Sequence, residues 1–322
     1  MRILSAENVK MAISMTEAIA AVREGFVALS AGKVQAPLRT TLQTPDGTIL
    51  FMLAYSENAG SSVIKVVSVY AENQQRGLPV VIATILVLDA KTGQPRALLD
   101  GTYLTALRTG AASGLATDLL AAPDAKILGV IGAGAQARTQ IEGVLAVRAI
   151  SEVRIYSRNG TEALVSELKM RYPWINVYGC HNAAEALHDA DVLVAATTTS
   201  SPVINGTDVK AGAHINGIGS YTPSMQEIAT EVVIRAKIVV DSRSACLAEA
   251  GDLLIPINAG LLDAASIYAE IGEIAAGSKP GRTSAAEITF FKSVGNAVQD
   301  LIVAARVVSA AEAKNLGSII NL

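Results

Sequence analysis

Cysteine, histidine and long apolar runs are all scarce in this chain, and each scarcity removes a class of function. Two cysteines in 322 residues, Cys180 and Cys246, show no CxxC spacing and give neither a disulfide framework nor a zinc site. The three histidines are no better placed. His181 and His188 lie seven apart beside a helical segment, and His214 opens an apolar run, so core or surface positions are expected and no metal. No apolar stretch approaches the ~18 residues of a membrane span; the longest candidate, "VVIATILVLDA", is broken by Thr84 and Asp89. The opening "MRILSAENVKMAISM" carries polar residues throughout instead of the charged-then-apolar layout of a signal peptide, and cytoplasmic residence is the expectation.

A strong charge of either sign is also lacking. Net charge is -3 and the isoelectric point about 5.7, which provides no basic face for nucleic acid or an anionic membrane. Any recognition of an anion must be local. Hydrophobic residues make up 51% of the chain and charged ones 17%, the balance of a well-packed protein rather than a disordered one. A length of 322 residues exceeds what one hydrophobic core usually fills, so two domains are expected.

Six short Val/Ile/Leu-rich runs follow one another from residue 125: "AKILGVIG" (125–132), "SEVRIYS" (151–157), "INVYGC" (175–180), "ADVLVAAT" (190–197), "AHINGIG" (213–219) and "AKIVVDS" (236–242). Continuous apolar runs, as opposed to apolar/polar alternation, belong to strands covered on both faces of a parallel sheet. The fold class expected is α/β, a doubly wound Rossmann sheet over 119–293. Before it, "MTEAIAAVREGFVALSAG" (15–32) has helical spacing and ends on Gly32, and four strand-like pieces follow, the last turning at "DAKTGQPRAL". An α+β domain with a mostly antiparallel sheet is expected over 1–118. "LTALRTGAASGLATDLLA" (104–121) reads as a helix leading to the parallel sheet, and residues 285–314 read as one long helix returning to the first domain, which takes in 294–322.

The first run of the sheet ends in G-x-G-x-x-A, Gly132, Gly134 and Ala137 with Ala135 and Gln136 between the last two, placed between a strand and a helix. Glycines there allow a tight turn, and free N–H groups at the helix start suit a pyrophosphate. The second strand ends in Ser157, Arg158 and Asn159, where an NAD site would carry a carboxylate. A guanidinium beside hydroxyl and amide groups pairs with a 2′-phosphate, so NADPH is the expected cofactor, with NADH the alternative.

Several ordered segments, "LTALRTGAASGLAT", "GVIGAGAQARTQ", "EAGDL", "AEIGEIAAGSKPGR" and "ITFFKSVGNAVQDL", make the chain resemble the ornithine cyclodeaminase and mu-crystallin family over essentially its whole length. That resemblance implies an N-terminal substrate-binding and dimerisation domain, a Rossmann domain, a homodimer, and a small amino or imino acid as substrate. It matches the family's carboxylate-binding cations to Arg39, Lys65 and Arg108, with Lys65 the candidate proton donor and Lys65 and Arg108 the catalytic pair. Met52, Tyr221 and Thr222 complete the candidate substrate residues. Thr197, Thr198, Gly219, Ser220, Lys292 and Ser293 join the candidate cofactor residues.

One departure is informative. In "GSYTPSMQEI" (219–228), Tyr221 stands where ornithine cyclodeaminase and archaeal alanine dehydrogenase carry the aspartate of G-(S/A)-D-x-P-G-K-(Q/R)-E, and Ser224 and Met225 replace Gly-Lys. A tyrosine, with a reference pKa of ~10, supplies no ready base near neutrality. Reduction of a ready-made cyclic imine needs none, and the segment is similar to that of the 1-pyrroline-2-carboxylate reductase branch. The resemblance therefore implies reduction of 1-pyrroline-2-carboxylate to L-proline, or of its six-membered homologue to L-pipecolate. Alanine dehydrogenase, ornithine cyclodeaminase and a non-catalytic, NADPH-gated binding protein of the mu-crystallin type stay open as alternatives.

Overall fold

The computed structural model describes residues 1–321; Leu322, the last residue of the first expected domain, lies outside them. In chain order the elements are β1 (Arg2–Leu4), α1 (Ala6–Ala12), α2 (Met15–Ser30), β2 (Thr40–Thr44), β3 (Gly47–Ser56), β4 (Ser61–Val69), β5 (Val81–Asp89), β6 (Pro95–Asp100) and α3 (Gly101–Leu120). Next come β7 (Ile127–Ile131), α4 (Ala135–Leu145), β8 (Glu152–Tyr156), α5 (Glu162–Arg171), β9 (Asn176–Gly179), α6 (Ala183–Leu187), β10 (Val192–Ala195) and β11 (His214–Gly217). The chain closes with α7 (Thr230–Arg235), β12 (Lys237–Val240), α8 (Arg243–Glu249), α9 (Gly251–Asn258), β13 (Ile267–Glu270), α10 (Ile271–Ala275), β14 (Thr289–Lys292), α11 (Ala297–Ala313) and β15 (Ser318–Ile319). It divides into two compact units, Met1–Arg108 with Asn296–Leu322, and Thr109–Gly295.

The first unit is built on a seven-stranded sheet of order β15-β1-β6-β5-β4-β3-β2, antiparallel throughout except where β1 runs parallel to β6. Alternation along β3 to β5 sends Met52, Ala54, Val63, Lys65, Ile85 and Val87 to one face, where all are buried. Helix α11 packs over β3, β4 and β5 and against α2. The β5–β6 turn is set by Asp89, whose Oδ1 accepts from the backbone of Lys91 and Thr92 and from Thr92 Oγ1 at 2.9–3.0 Å.

The second unit holds an all-parallel sheet of order β13-β12-β14-β11-β10-β7-β8-β9, the doubly wound arrangement expected from the apolar runs. All six expected runs are strands. Two more were not foreseen: β13, and β14 in the middle of the sheet between β11 and β12. The helix expected over 285–314 is therefore corrected. Thr289–Lys292 is a wholly buried strand, and α11 begins only at Ala297, with Asn296 as its cap accepting from Val298 N at 2.9 Å. The cause is local. "ITFF" is a β-branched and aromatic run, and Gly295, at φ 84°, breaks the backbone before the cap.

His214 is a core histidine. It is wholly buried on β11 with Nδ1 2.9 Å from Thr289 Oγ1, and burial, reinforced by the Arg282 charge, depresses its pKa to about 3. Cys246 is likewise buried, 3.2 Å from Asp241 Oδ1, and burial raises its thiol well above the usual range.

Within this unit α4 lies unusually close to α3. A Cβ on Gly143 would sit 2.2 Å from the Gly110 carbonyl oxygen, and one on Gly110 2.2 Å from that of Thr139. Glycine inside a helix ordinarily costs stability relative to alanine, by roughly 0.5–1 kcal/mol; here it is what allows the approach. Gly143→Ala should therefore lower, not raise, the unfolding midpoint, by about 1–3 kcal/mol in stability as for other overpacked sites. A variant as stable as the parent in a urea melt would refute this account of the helix pair.

Candidate active site

The first unit gathers charge under α11. Lys65 on β4 is 1% exposed, and its Nζ lies 2.7 Å from Oδ2 of Asp300, itself wholly buried. The other oxygen of the same carboxylate accepts from Arg108 Nε at 3.1 Å, and Arg108 also donates to Gln299 Oε1. One carboxylate thus answers two cations. Met52 is the register partner of Lys65 on β3 and shares its face. Arg39, half-buried just before β2, is near enough for its charge to act on Lys65. Burial and then the Arg108 charge lower the Lys65 pKa, Asp300 opposes them, and the result is about 7. The cluster carries more positive than negative charge and keeps Lys65 close to neutrality in its proton equilibrium, which suits a small carboxylate ligand.

In the second unit the turn after β7 forms an open cradle. Gly132 adopts φ +113°, and a Cβ there would meet the Ala196 carbonyl oxygen at 2.6 Å. Gly134 caps α4 without a side-chain hydrogen bond, and a Cβ on it would meet nothing within 4 Å. The first N–H groups of α4 consequently open on free space, at the positive end of an eleven-residue helix. Beside them the buried Gln136 Oε1 has no hydrogen-bond partner among the described residues. These features fit a dinucleotide pyrophosphate. Ser157, Arg158 and Asn159 form the turn leaving β8, with Arg158 and Asn159 exposed and Asn159 N donating to Ser157 Oγ at 3.4 Å.

The strand exits after β10 and β11 are held by a carboxylate. Glu227, wholly buried, accepts at Oε1 from Thr197 N and Oγ1, both at 2.7 Å. Its Oε2 accepts from Gly219 N at 2.6 Å and Ser220 N at 2.8 Å. Asp252 in turn accepts from Glu227 N at 2.7 Å and Ile228 N at 3.0 Å, and its other oxygen pairs with Lys292 Nζ at 2.9 Å. Burial pushes the Glu227 carboxyl upward against the Lys292 charge. Burial disfavours the Lys292 ammonium, but Asp252 and Glu227 together raise it.

This accounts for the unusual strand exit. Residues 219–226 fold over a Thr222–Met225 turn, Ser220 Oγ reaches Met225 O at 2.8 Å, and Gly251 N at the head of α9 donates to Thr222 O. Tyr221 is half-buried against the apolar cluster that includes Ile228 and Leu253, and Thr222 is half-buried beside it.

Lys65, Arg108 and Met52 thus meet in the first unit, while Tyr221, Thr222 and the dinucleotide candidates belong to the second. Lys292 and Ser293 do not present themselves to a ligand. Lys292 is buried on Asp252, and Ser293 Oγ donates to Asp241 at 2.7 Å. The N–H groups of Thr197, Gly219 and Ser220 are engaged by Glu227, and Thr198 is exposed. Asp300, Gln299, Glu227 and Asp252 were not foreseen. A signal existed for Asp300: it falls at helical spacing among Ala297, Leu301, Ala304 and Val308, an acid on an apolar face.

Comparison with known proteins gives the chain a family. A family model described as the ornithine cyclodeaminase/mu-crystallin family matches residues 1–315. Delta(1)-pyrroline-2-carboxylate reductase of Bacillus cereus is 40% identical over 308 residues, covering 94% of each chain. The solved structure of the Thermococcus litoralis enzyme of that name, in complex with NADH and L-proline, superposes with a TM-score of 0.96 at 42% identity, over 99% of this chain and 100% of that one. An archaeal alanine dehydrogenase dimer with bound NAD gives a TM-score of 0.93 at 38% identity, over 99% and 98%. With residues 1–315 matched by the family model and a relative 40% identical over 94% of the chain, the chain belongs to the ornithine cyclodeaminase/mu-crystallin family.

Proposed function

We propose that this protein is an NAD(P)H-dependent ketimine reductase that converts 1-pyrroline-2-carboxylate to L-proline, and accepts the six-membered homologue on the same principle. The observation that carries the proposal is the sharing of Asp300 by Lys65 and Arg108. Two cations on one carboxylate form a basic site suited to one small carboxylate ligand. The relatives named for this reaction support the reading.

In this mechanism the Arg108 guanidinium and the Lys65 ammonium hold the substrate carboxylate and fix the imine carbon beside it. Met52 forms part of the apolar surround. Lys65 Nζ holds the proton that balances the reduction of C=N to CH–NH. Backbone N–H groups at the start of α4 bind the pyrophosphate. A bound reduced nicotinamide would supply hydride from its C4. Arg158, with Ser157 and Asn159, pairs with a 2′-phosphate and favours NADPH. Tyr221 offers no carboxylate to accept a proton from an ammonium substrate, which favours imine reduction over oxidative deamination.

A homodimer is the assembly proposed. The face of the first sheet opposite α11 carries Leu42, Phe51, Leu53, Tyr55, Ile64 and Ile82, with Leu42, Leu53, Tyr55 and Ile82 exposed. An apolar sheet face of this kind calls for a partner, and a second copy is consistent with the dimeric alanine dehydrogenase relative. Sedimentation at the mass of two chains is expected; Leu53→Asp should shift it toward one, and a monomeric parent chain would remove this part of the proposal.

The direct test is the initial rate of nucleotide oxidation with 1-pyrroline-2-carboxylate and, separately, with pyruvate plus ammonia. The cyclic imine should turn over and the pyruvate mixture should not; the reverse would make alanine dehydrogenase the better reading. Arg108→Ala should lower kcat/KM at least tenfold, on the order of 2–3 kcal/mol for lost charge-assisted hydrogen bonds, with nucleotide affinity unchanged. Arg158→Ala should bring the NADPH/NADH rate ratio toward one.

The pH dependence has a definite sign. The Lys65 pKa is depressed from 10.5 to about 7, so the ammonium is lost as pH rises through that value. kcat/KM, which reports the free enzyme, should therefore fall above about pH 7. Lys65→Arg keeps its charge at all these pH values and should abolish that limb. A limb persisting unchanged in Lys65→Arg would assign it to another group.

A further inference from the structure

Glu227 gathers four donors from two strand exits onto one carboxylate, more than holding a loop in place requires. Three of the donors are consecutive-peptide or strand-exit N–H groups, of Thr197, Gly219 and Ser220. A trans peptide sets its N–H and C=O in opposite directions, and the structure contains no cis peptide among the described residues. With their N–H groups turned in toward Glu227, the peptides Ala196–Thr197, Ile218–Gly219 and Gly219–Ser220 turn their carbonyls away from it. The Ala196 carbonyl oxygen does lie on the side of the glycine cradle, 2.6 Å from where a Gly132 Cβ would be. The arrangement is also sterically closed, since a Cβ on Gly219 would sit 1.9 Å from the Thr197 carbonyl oxygen and 2.6 Å from Glu227 Oε1.

The place of these exits in the sheet gives them a ligand. The strand order reverses at β7: β8 and β9 lie to one side, β10 and β11 to the other. In such sheets a dinucleotide lies across the carboxyl ends of the strands at the reversal, with its adenosine half over the side of the second strand. The exits of β10 and β11 therefore serve the other half.

We propose that Glu227 is a positioning residue for the nicotinamide: by drawing the N–H groups of Thr197, Gly219 and Ser220 to itself, it presents the carbonyls of Ala196, Ile218 and Gly219 as an acceptor edge for a carboxamide NH2. Glu227 acts through these peptides and does not touch the cofactor. Asp252, by accepting from Glu227 N and Ile228 N, fixes the segment from which the carboxylate reaches, and Lys292 balances the buried charge. The inference rests on the dinucleotide reading of the second unit and is independent of which imine or amino acid is the substrate.

Glu227→Gln tests it. The amide has the same size, but one of its two ends is a donor, so two of the four incoming donors meet an NH2 and a peptide must turn. Two probes separate positioning from general damage: NADPH, and adenosine 2′,5′-bisphosphate, which has the phosphates and adenosine but no nicotinamide. Calorimetric titration of the folded variant should give an NADPH dissociation constant raised about tenfold, roughly the loss of one or two neutral hydrogen bonds. The adenosine bisphosphate constant should stay within about twofold of the parent. Thr197→Val, which removes only the Oγ1 donor, should show the same selectivity at about threefold and carries the comparison if Glu227→Gln does not fold. Equal weakening of both probes, or no change in either, overturns the proposal and leaves the dinucleotide reading standing. If the parent chain binds NADH but not NADPH, NADH and adenosine 5′-monophosphate replace the two probes; failure to bind either dinucleotide overturns both readings.

Discussion

A carboxylate removed from water has to be answered by charge or by hydrogen bonds, and two of the carboxylates this chain buries, Asp300 and Glu227, organise the two candidate sites. Asp300 in the first unit is met by Lys65 and Arg108. Glu227 in the second is met by four N–H and O–H donors. Breaking a buried pair by removing one partner costs about 3–5 kcal/mol, because the remaining charge is left without compensation. Such groups therefore stabilise little by themselves, but they define geometry: each permits one arrangement of the segments that reach it. In the first unit that arrangement is an excess of cations, and in the second it is a fixed orientation of peptides.

The same logic explains why Lys65 differs from a surface lysine. Asp300 alone would keep its ammonium charged, whereas burial with Arg108 and Arg39 presses the other way. The outcome near neutrality follows from the burial of Lys65 together with the charges of Arg108, Asp300 and Arg39.

Much of this was legible in the sequence. The apolar runs from residue 125 encode a doubly covered sheet, and Gly132 encodes the turn of the cradle, because strand burial and a positive φ leave few residue choices. The cations were found through family motifs rather than spacing, since Lys65, Arg108 and Asp300 come together only through sheet register and the return of α11. Residues 289–292 were misread because four buried residues look alike in a strand and in a buried helix; the β-branched and aromatic composition and the break at Gly295 and Asn296 separate them. Glu227 and Asp252 were passed over for the opposite reason. An acid in a polar loop carries no sign that its carboxylate turns inward to take the N–H groups of Thr197, Gly219 and Ser220.

The separation along the chain of what these carboxylates unite has a consequence for synthesis. Lys65 and Arg108 leave the ribosome long before Asp300, which is 235 residues beyond the lysine. The second sheet, too, lacks a central member until β14 at 289–292 has been made. Until the segment from residue 289 onward is made, Lys65 and Arg108 have no Asp300 to meet and the second sheet has a gap between β11 and β12, so a chain cut before residue 289 lacks the counter-ion and covering helix of one unit and a central strand of the other.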